Sequence, residues 1–122
     1  MDVSKELMAT GHWGELQVEL GLLYDFRCGY CYKDLIADAD SHRDWQQDHL
    51  IPSSRDGTDE IGNLVLCCRT CNHFKGKWNP AEHLNGLEQN KDNMTDIARV
   101  YINSRREALE RDVQIYRQIV RR

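Results

Sequence analysis

Cys28-Gly29-Tyr30-Cys31 and Cys68-Arg69-Thr70-Cys71 are two C-x-x-C pairs in a chain of 122 residues. This spacing lets two thiolates of one tight turn bind the same tetrahedral Zn²⁺, and two such pairs complete a closed four-sulfur site. The fold is thereby constrained to bring two segments far apart in sequence onto one ion. Five cysteines are an odd count, which argues against a disulfide framework. The alternative, five cysteines buried as small hydrophobes, does not account for four of them falling in matched pairs. Alternation along a strand puts Cys67 on the opposite face from Cys68, so Cys67 is expected in the core, although a pairing of Cys67 with Cys71 is conceivable. A zinc held by four thiolates has no open coordination position and is structural, so any chemistry must come from other residues.

Hydrophobic residues at 40% and charged residues at 30% describe a folded protein. The length suits a single domain over 1–122. No apolar run approaches the roughly 20 residues that span a bilayer, and the first residues have neither a basic nor an apolar leader segment, so a cytoplasmic protein without membrane contact is expected. The formal net charge of −4 hides a segregation: residues 1–66 carry a net −8, whereas residues 67–79 and 94–122 carry +3 each. A polyanionic partner would therefore meet the second half of the chain.

Trp13, Leu16, Leu20 and Leu23 predict an amphipathic helix over about 13–24 that buries this stripe. Trp45 through Ile51 reads as a strand stopped by Pro52, and Asn63 through Leu66 as a second strand. The turn-rich stretch 53–62 between them makes the pair a hairpin with a long loop. Asn72 to Trp78 has helical character up to Pro80. A last helix over about 94–121 carries Ala98, Ile102, Leu109, Val113, Tyr116 and Val120 on one stripe. At 1.5 Å per residue it would be about 42 Å long, more than a small domain's diameter, so it either kinks near Ser104 or packs in part on a partner. The class is α+β.

The segments Asp48-His49-Leu50-Ile51-Pro52, Gly62-Asn63-Leu64-Val65-Leu66 and Cys68 to Gly76 together resemble the HNH endonuclease family. The resemblance covers about residues 26–79 and says nothing of the flanking helices. It implies a ββα-metal core, a hairpin followed by a helix gripping one divalent cation, braced by the four-cysteine zinc. It also implies metal-dependent hydrolysis of a DNA phosphodiester to a 5′-phosphate and a 3′-hydroxyl. Carried over residue by residue, His49 matches the general base, and Asp48 and Asn72 match the ligands of the catalytic Mg²⁺ or Mn²⁺. Asn63 matches the middle letter, whose side chain braces the loop, and Lys75 matches a basic position that holds backbone phosphates. Two departures are Tyr32, where many members have glycine, and Gly76, which offers no third ligand.

These residue types make chemical sense on their own terms. Attack on a phosphodiester needs a deprotonated water and a cation to offset charge on the phosphoryl and leaving oxygens. A histidine titrates near pH 6.5 when unperturbed, so an imidazole can accept that proton at physiological pH. Two hard oxygen donors suit Mg²⁺ or Mn²⁺ better than zinc. Adjacent strand residues point to opposite faces, so Asp48 and His49 can serve one site only where the strand bends or borders the hairpin's edge. Asn72, just after a C-x-x-C, also suits a helix N-cap. Arg69, Lys75 and Lys77 beside the site, with Arg99, Arg105, Arg106, Arg111, Arg117, Arg121 and Arg122 along the last helix, are the expected DNA contacts. The competing reading is a noncatalytic zinc-finger module that binds nucleic acid or protein, and the long last helix suggests a homodimer.

Overall fold

The structure is a computed structural model that describes residues 2–122. Seven regular elements follow one another: α1 (Val3–Ala9), α2 (Glu15–Leu23), α3 (Ala39–Arg43), β1 (Trp45–His49), β2 (Leu64–Cys68), α4 (Arg69–Lys75) and α5 (Lys91–Val120), with short 3₁₀ turns between. The strands pair antiparallel in the register Trp45↔Cys68 to His49↔Leu64. The expected hairpin and the helix after it are thus present, and the mixed architecture is α+β.

The second strand, Leu64–Cys68, is buried throughout, as its uninterrupted apolar sequence dictates. It forms the floor on which the first knuckle, α2 and α4 lie. The Gly29 amide donates to the Leu66 carbonyl at 2.7 Å. A Cβ at Gly29 would press into Val65 and Tyr24, so the glycine lets the knuckle approach the strand. Leu50 is held inside, and the loop that follows is tied back on itself. Asp56 turns with φ +65, and a side chain at Gly57 would collide with the Ile51 carbonyl.

Trp13, Phe26 and Trp45 form an aromatic cluster, with Trp13 edge-on to Trp45 at 5.2 Å between centroids. These tryptophans serve packing, as their sequence setting suggests. Helix α2 buries Val18, Leu20 and Gly21, whereas Leu16 is 38% and Leu23 57% exposed. The expected Leu16/Leu20/Leu23 stripe is therefore corrected. The reason lies just beyond the helix: Asp25 and Phe26 both take left-handed φ, and the Phe26 ring folds back onto Gly21, where a Cβ would collide with it. That contact rotates α2 about its axis.

Helix α5 runs unbroken for 30 residues, about 45 Å, so the first of the two alternatives for this helix, a kink near Ser104, is absent. Only Met94, Ala98 and Ile102 are buried. Tyr101 stacks on Trp78 at 4.3 Å, and Trp78 in turn stacks on His83 at 4.5 Å. Two arginines clamp the helix to both knuckles. Arg99 donates to the carbonyls of Gly29 (2.8 Å) and Tyr30 (3.2 Å), and Arg106 donates to Cys71 Sγ at 3.0 Å. Neither guanidinium is therefore free to meet DNA, contrary to the sequence expectation for these two arginines.

Candidate active site and metal centre

The C-x-x-C pairs meet. The Sγ atoms of Cys28, Cys31, Cys68 and Cys71 all lie within 4.8 Å of one another, and three of the four residues are buried. Tetrahedral bonds of about 2.3 Å to zinc imply sulfur–sulfur edges of about 3.8 Å, and Cys31 Sγ lies 3.7 Å from Cys68 Sγ. The donor set and its spacing fit Zn²⁺. Backbone amides of Tyr30 and Cys31 point at Cys28 Sγ, and that of Cys71 at Cys68 Sγ, each at 3.4 Å. Together with Arg106, these donors offset the negative charge of the thiolates. Cys67 is buried and stands outside the cluster, as expected of a core residue.

The second knuckle also starts α4. Cys68 is its N-cap, accepting from the Cys71 amide through sulfur. Asn72 therefore lies inside the helix, which corrects its reading as an N-cap. Its side chain makes no hydrogen bond with another described residue and lines a cavity of about 380 Å³ together with Asp48, His49, Pro52, Gly76 and Lys77. Asp48 and His49 thus border the same cleft although adjacent in β1. This is possible because the strand ends at His49, at the edge of a two-stranded sheet. Gly76 closes α4 with φ +53 and brings no donor to the cleft.

Asp48 is 5% exposed. Tyr30 Oη donates to its Oδ2 at 2.6 Å, and Lys75 Nζ stands 3.1 Å from the same oxygen and 3.4 Å from Oδ1. Burial pushes the Asp48 carboxyl above its ordinary range, with the Lys75 ammonium and the Tyr30 hydroxyl pulling the other way. Burial, reinforced by the Asp48 charge, drives the Tyr30 phenol well above its usual value. Lys75 has no exposed side-chain surface and also donates to the His49 carbonyl at 3.0 Å. The expectation that Lys75 holds phosphates is therefore corrected. Its ammonium is a structural counter-ion inside the protein. Arg69 and Lys77 are exposed, and Lys77 is on the rim of the cleft.

Asn63 ties the loop after β1 to the start of β2. Its Oδ1 accepts from the Ile51 amide at 2.8 Å, and its Nδ2 donates to the carbonyls of Ile51 (3.0 Å) and Thr58 (2.9 Å). His49 Nε2 lies 2.6 Å from Oδ1 of Asp59, on the same loop. A carboxylate there favours the proton on Nε2 and leaves the Nδ1 lone pair to accept another. Asp59 was not singled out from sequence, because it sits among turn residues. Tyr30 was missed because it fills a spacer position of the knuckle. Neither gives a signal without the fold.

A larger cavity, about 730 Å³, lies between the first knuckle and α5. Its cations are already engaged: Arg27 with the Tyr32 carbonyl and Asp34, Arg99 with the knuckle carbonyls and Asp96, Lys91 with the Ile61 carbonyl and the Tyr24 ring. The smaller cleft combines a histidine, an oxygen-donor pair and a surface lysine, so it holds the candidate chemistry.

Residues 28–77 match the family model described as HNH endonuclease, the family that the motif residues resemble. The match spans both knuckles, the hairpin and α4, and stops short of α5. No curated protein and no solved structure matches the chain. The similarity over this segment implies a nuclease-type or nucleic-acid-binding role, and no described helix is long and apolar enough to cross a membrane.

Proposed function

We propose that the protein is a metal-dependent HNH endonuclease that hydrolyses DNA phosphodiesters to a 5′-phosphate and a 3′-hydroxyl. The observation that carries this reading is the convergence of Asp48, His49 and Asn72 on one cleft beside the zinc knuckles. His49, with Nε2 engaged by Asp59, takes a proton from water through Nδ1. Asp48 and Asn72 are the oxygen donors for Mg²⁺ or Mn²⁺, which when bound would offset charge on the phosphoryl and leaving oxygens. The donor set fits a hard cation, with waters and phosphate supplying the remaining positions. Asn63 keeps the loop, and with it His49 and Asp59, in place, while Lys77 and Arg69 receive the backbone phosphates. Two copies joined through the last helix would present two clefts and cut both strands, whereas one copy would nick.

A noncatalytic zinc module would bind nucleic acid equally with or without Mg²⁺. Supercoiled plasmid incubated with zinc-loaded protein in a magnesium- and manganese-free buffer should stay intact and convert to open circle when Mg²⁺ or Mn²⁺ is added. Plasmid that is bound under both conditions but never converted would favour the noncatalytic reading.

A further inference from the structure

The last buried residue of α5 is Ile102, and its last side-chain hydrogen bond to the body is that of Arg106 to Cys71. Beyond it, residues 107–120 extend about 21 Å past the body. Leu109 is 45%, Tyr116 54% and Val120 79% exposed. At about 100° per residue, Ala98, Ile102, Leu109, Val113, Tyr116 and Val120 fall within an arc of about 60°. The face that packs on the protein's own core therefore continues, uncovered, along the free half of the helix. Its 4-3-4 spacing over Leu109, Val113, Tyr116 and Val120 is that of a helix-pairing seam.

We propose that this free half pairs with the same segment of a second copy, antiparallel, in the register that seats Leu109 on the partner's Val120 and Val113 on the partner's Tyr116. Two observations select this arrangement. The first is steric. Met94, Ala98 and Ile102 turn the same face inward upstream, so parallel helices would force two cores into the space between them. Antiparallel helices set each core beyond the tip of the other. The second is charge on the residues flanking the seam. In this register Glu110 lies beside the partner's Arg117, and the two-fold axis makes the pair twice. Sliding the helices by one heptad into the neighbouring register would instead set Glu110 against the partner's Glu110 and Asp112 against the partner's Asp112, which repel. The pairing uses only α5 and does not depend on the catalytic reading.

Sedimentation equilibrium of the zinc-loaded full chain between about 1 and 100 µM should show a monomer–dimer equilibrium. Leu109→Lys, at a position already exposed, should raise the dissociation constant at least tenfold, and Glu110→Arg or Arg117→Glu alone should weaken it about fivefold or more. The double variant Glu110→Arg/Arg117→Glu should restore wild-type association, because the swapped pair is again complementary only in this register. A parallel pair would set Glu110 against the partner's Arg105 and Arg117 against the partner's Asp112, so the double variant would be the weakest. A chain that stays monomeric throughout, a dimer indifferent to Leu109→Lys, or a double variant that is not restored would each overturn the proposal.

Discussion

Replacing Lys75 with methionine separates a buried counter-ion from a surface phosphate ligand. The substitution keeps an unbranched side chain of nearly the same length and removes the ammonium. Asp48, 5% exposed, would keep only the Tyr30 hydroxyl, and the His49 carbonyl would lose its donor at 3.0 Å. Removing one partner of a buried ion pair costs about 3–5 kcal/mol. For a domain of this size that is a large fraction of a total stability on the order of 10 kcal/mol, and it corresponds to a fall in melting temperature of about 10–20 °C. Asp48→Asn added to Lys75→Met removes the stranded charge and should recover more than half of the loss. The assay is thermal and urea unfolding of zinc-saturated protein, followed by circular dichroism. Mg²⁺ should raise the melting temperature of Lys75→Met more than that of wild type, since the cation replaces the missing charge beside Asp48. A Lys75→Met protein within about 1 kcal/mol of wild type would refute the reasoning and return Lys75 to the surface role that its place in the motif suggested.

Three further outcomes follow from the geometry. Cys68→Ser should lose zinc and folded structure together, while Cys67→Ser keeps one tightly bound zinc, measured by metal analysis of the purified protein; retention of zinc by Cys68→Ser would contradict the four-sulfur site. Asp59→Ala should lower kcat about tenfold while leaving the Mg²⁺ titration unchanged; an unchanged kcat would remove Asp59 from the positioning of His49. Burial, helped by the nearby Asp92 charge, pushes the Tyr24 phenol up to about 12 from 10.0. An acid raised in the folded state loses its proton first when unfolded, so its contribution to stability is full below pH 10 and is lost as pH rises towards 12. Tyr24→Phe should accordingly flatten the alkaline fall in stability, and an identical fall in both proteins would contradict the burial argument.

The four-cysteine cluster and the hairpin were legible in sequence because each is written in local terms: a fixed spacing of thiols, and apolar β-branched runs around a turn-rich loop. The strand bounds moved by one or two residues, to Trp45–His49 and Leu64–Cys68, since backbone pairing outlasts the apolar pattern of β2 and ends before that of β1. The short helix Ala39–Arg43 went unread because its sequence is polar and its signal is a single cap, Asp38 accepting from Ser41. Lys75 was misplaced for a related reason. Its charge suggests a surface, and only the fold shows Asp48 and a backbone carbonyl waiting beneath it. Tyr32 shows the converse. Its left-handed φ of +65 explains why a glycine suits that position, and the Arg99 guanidinium 5.2 Å from its ring shows what holds a tyrosine there instead. The α2 stripe failed because leucines surround much of that helix, so the buried face is set by Phe26 and not by periodicity.

DNA hydrolysis in the cleft formed by Asp48, His49 and Asn72 is the activity proposed for the protein. The direct measurement compares plasmid cleavage by wild type and His49→Ala at equal zinc content and equal melting temperature, with the nicked product then treated with DNA ligase. Wild type with Mg²⁺ or Mn²⁺ should give nicks that ligase reseals, as a 5′-phosphate beside a 3′-hydroxyl requires, and His49→Ala should give at least a thousandfold fewer. Nicks that ligase cannot seal, or a His49→Ala protein that cuts within a few-fold of wild type, would contradict the account.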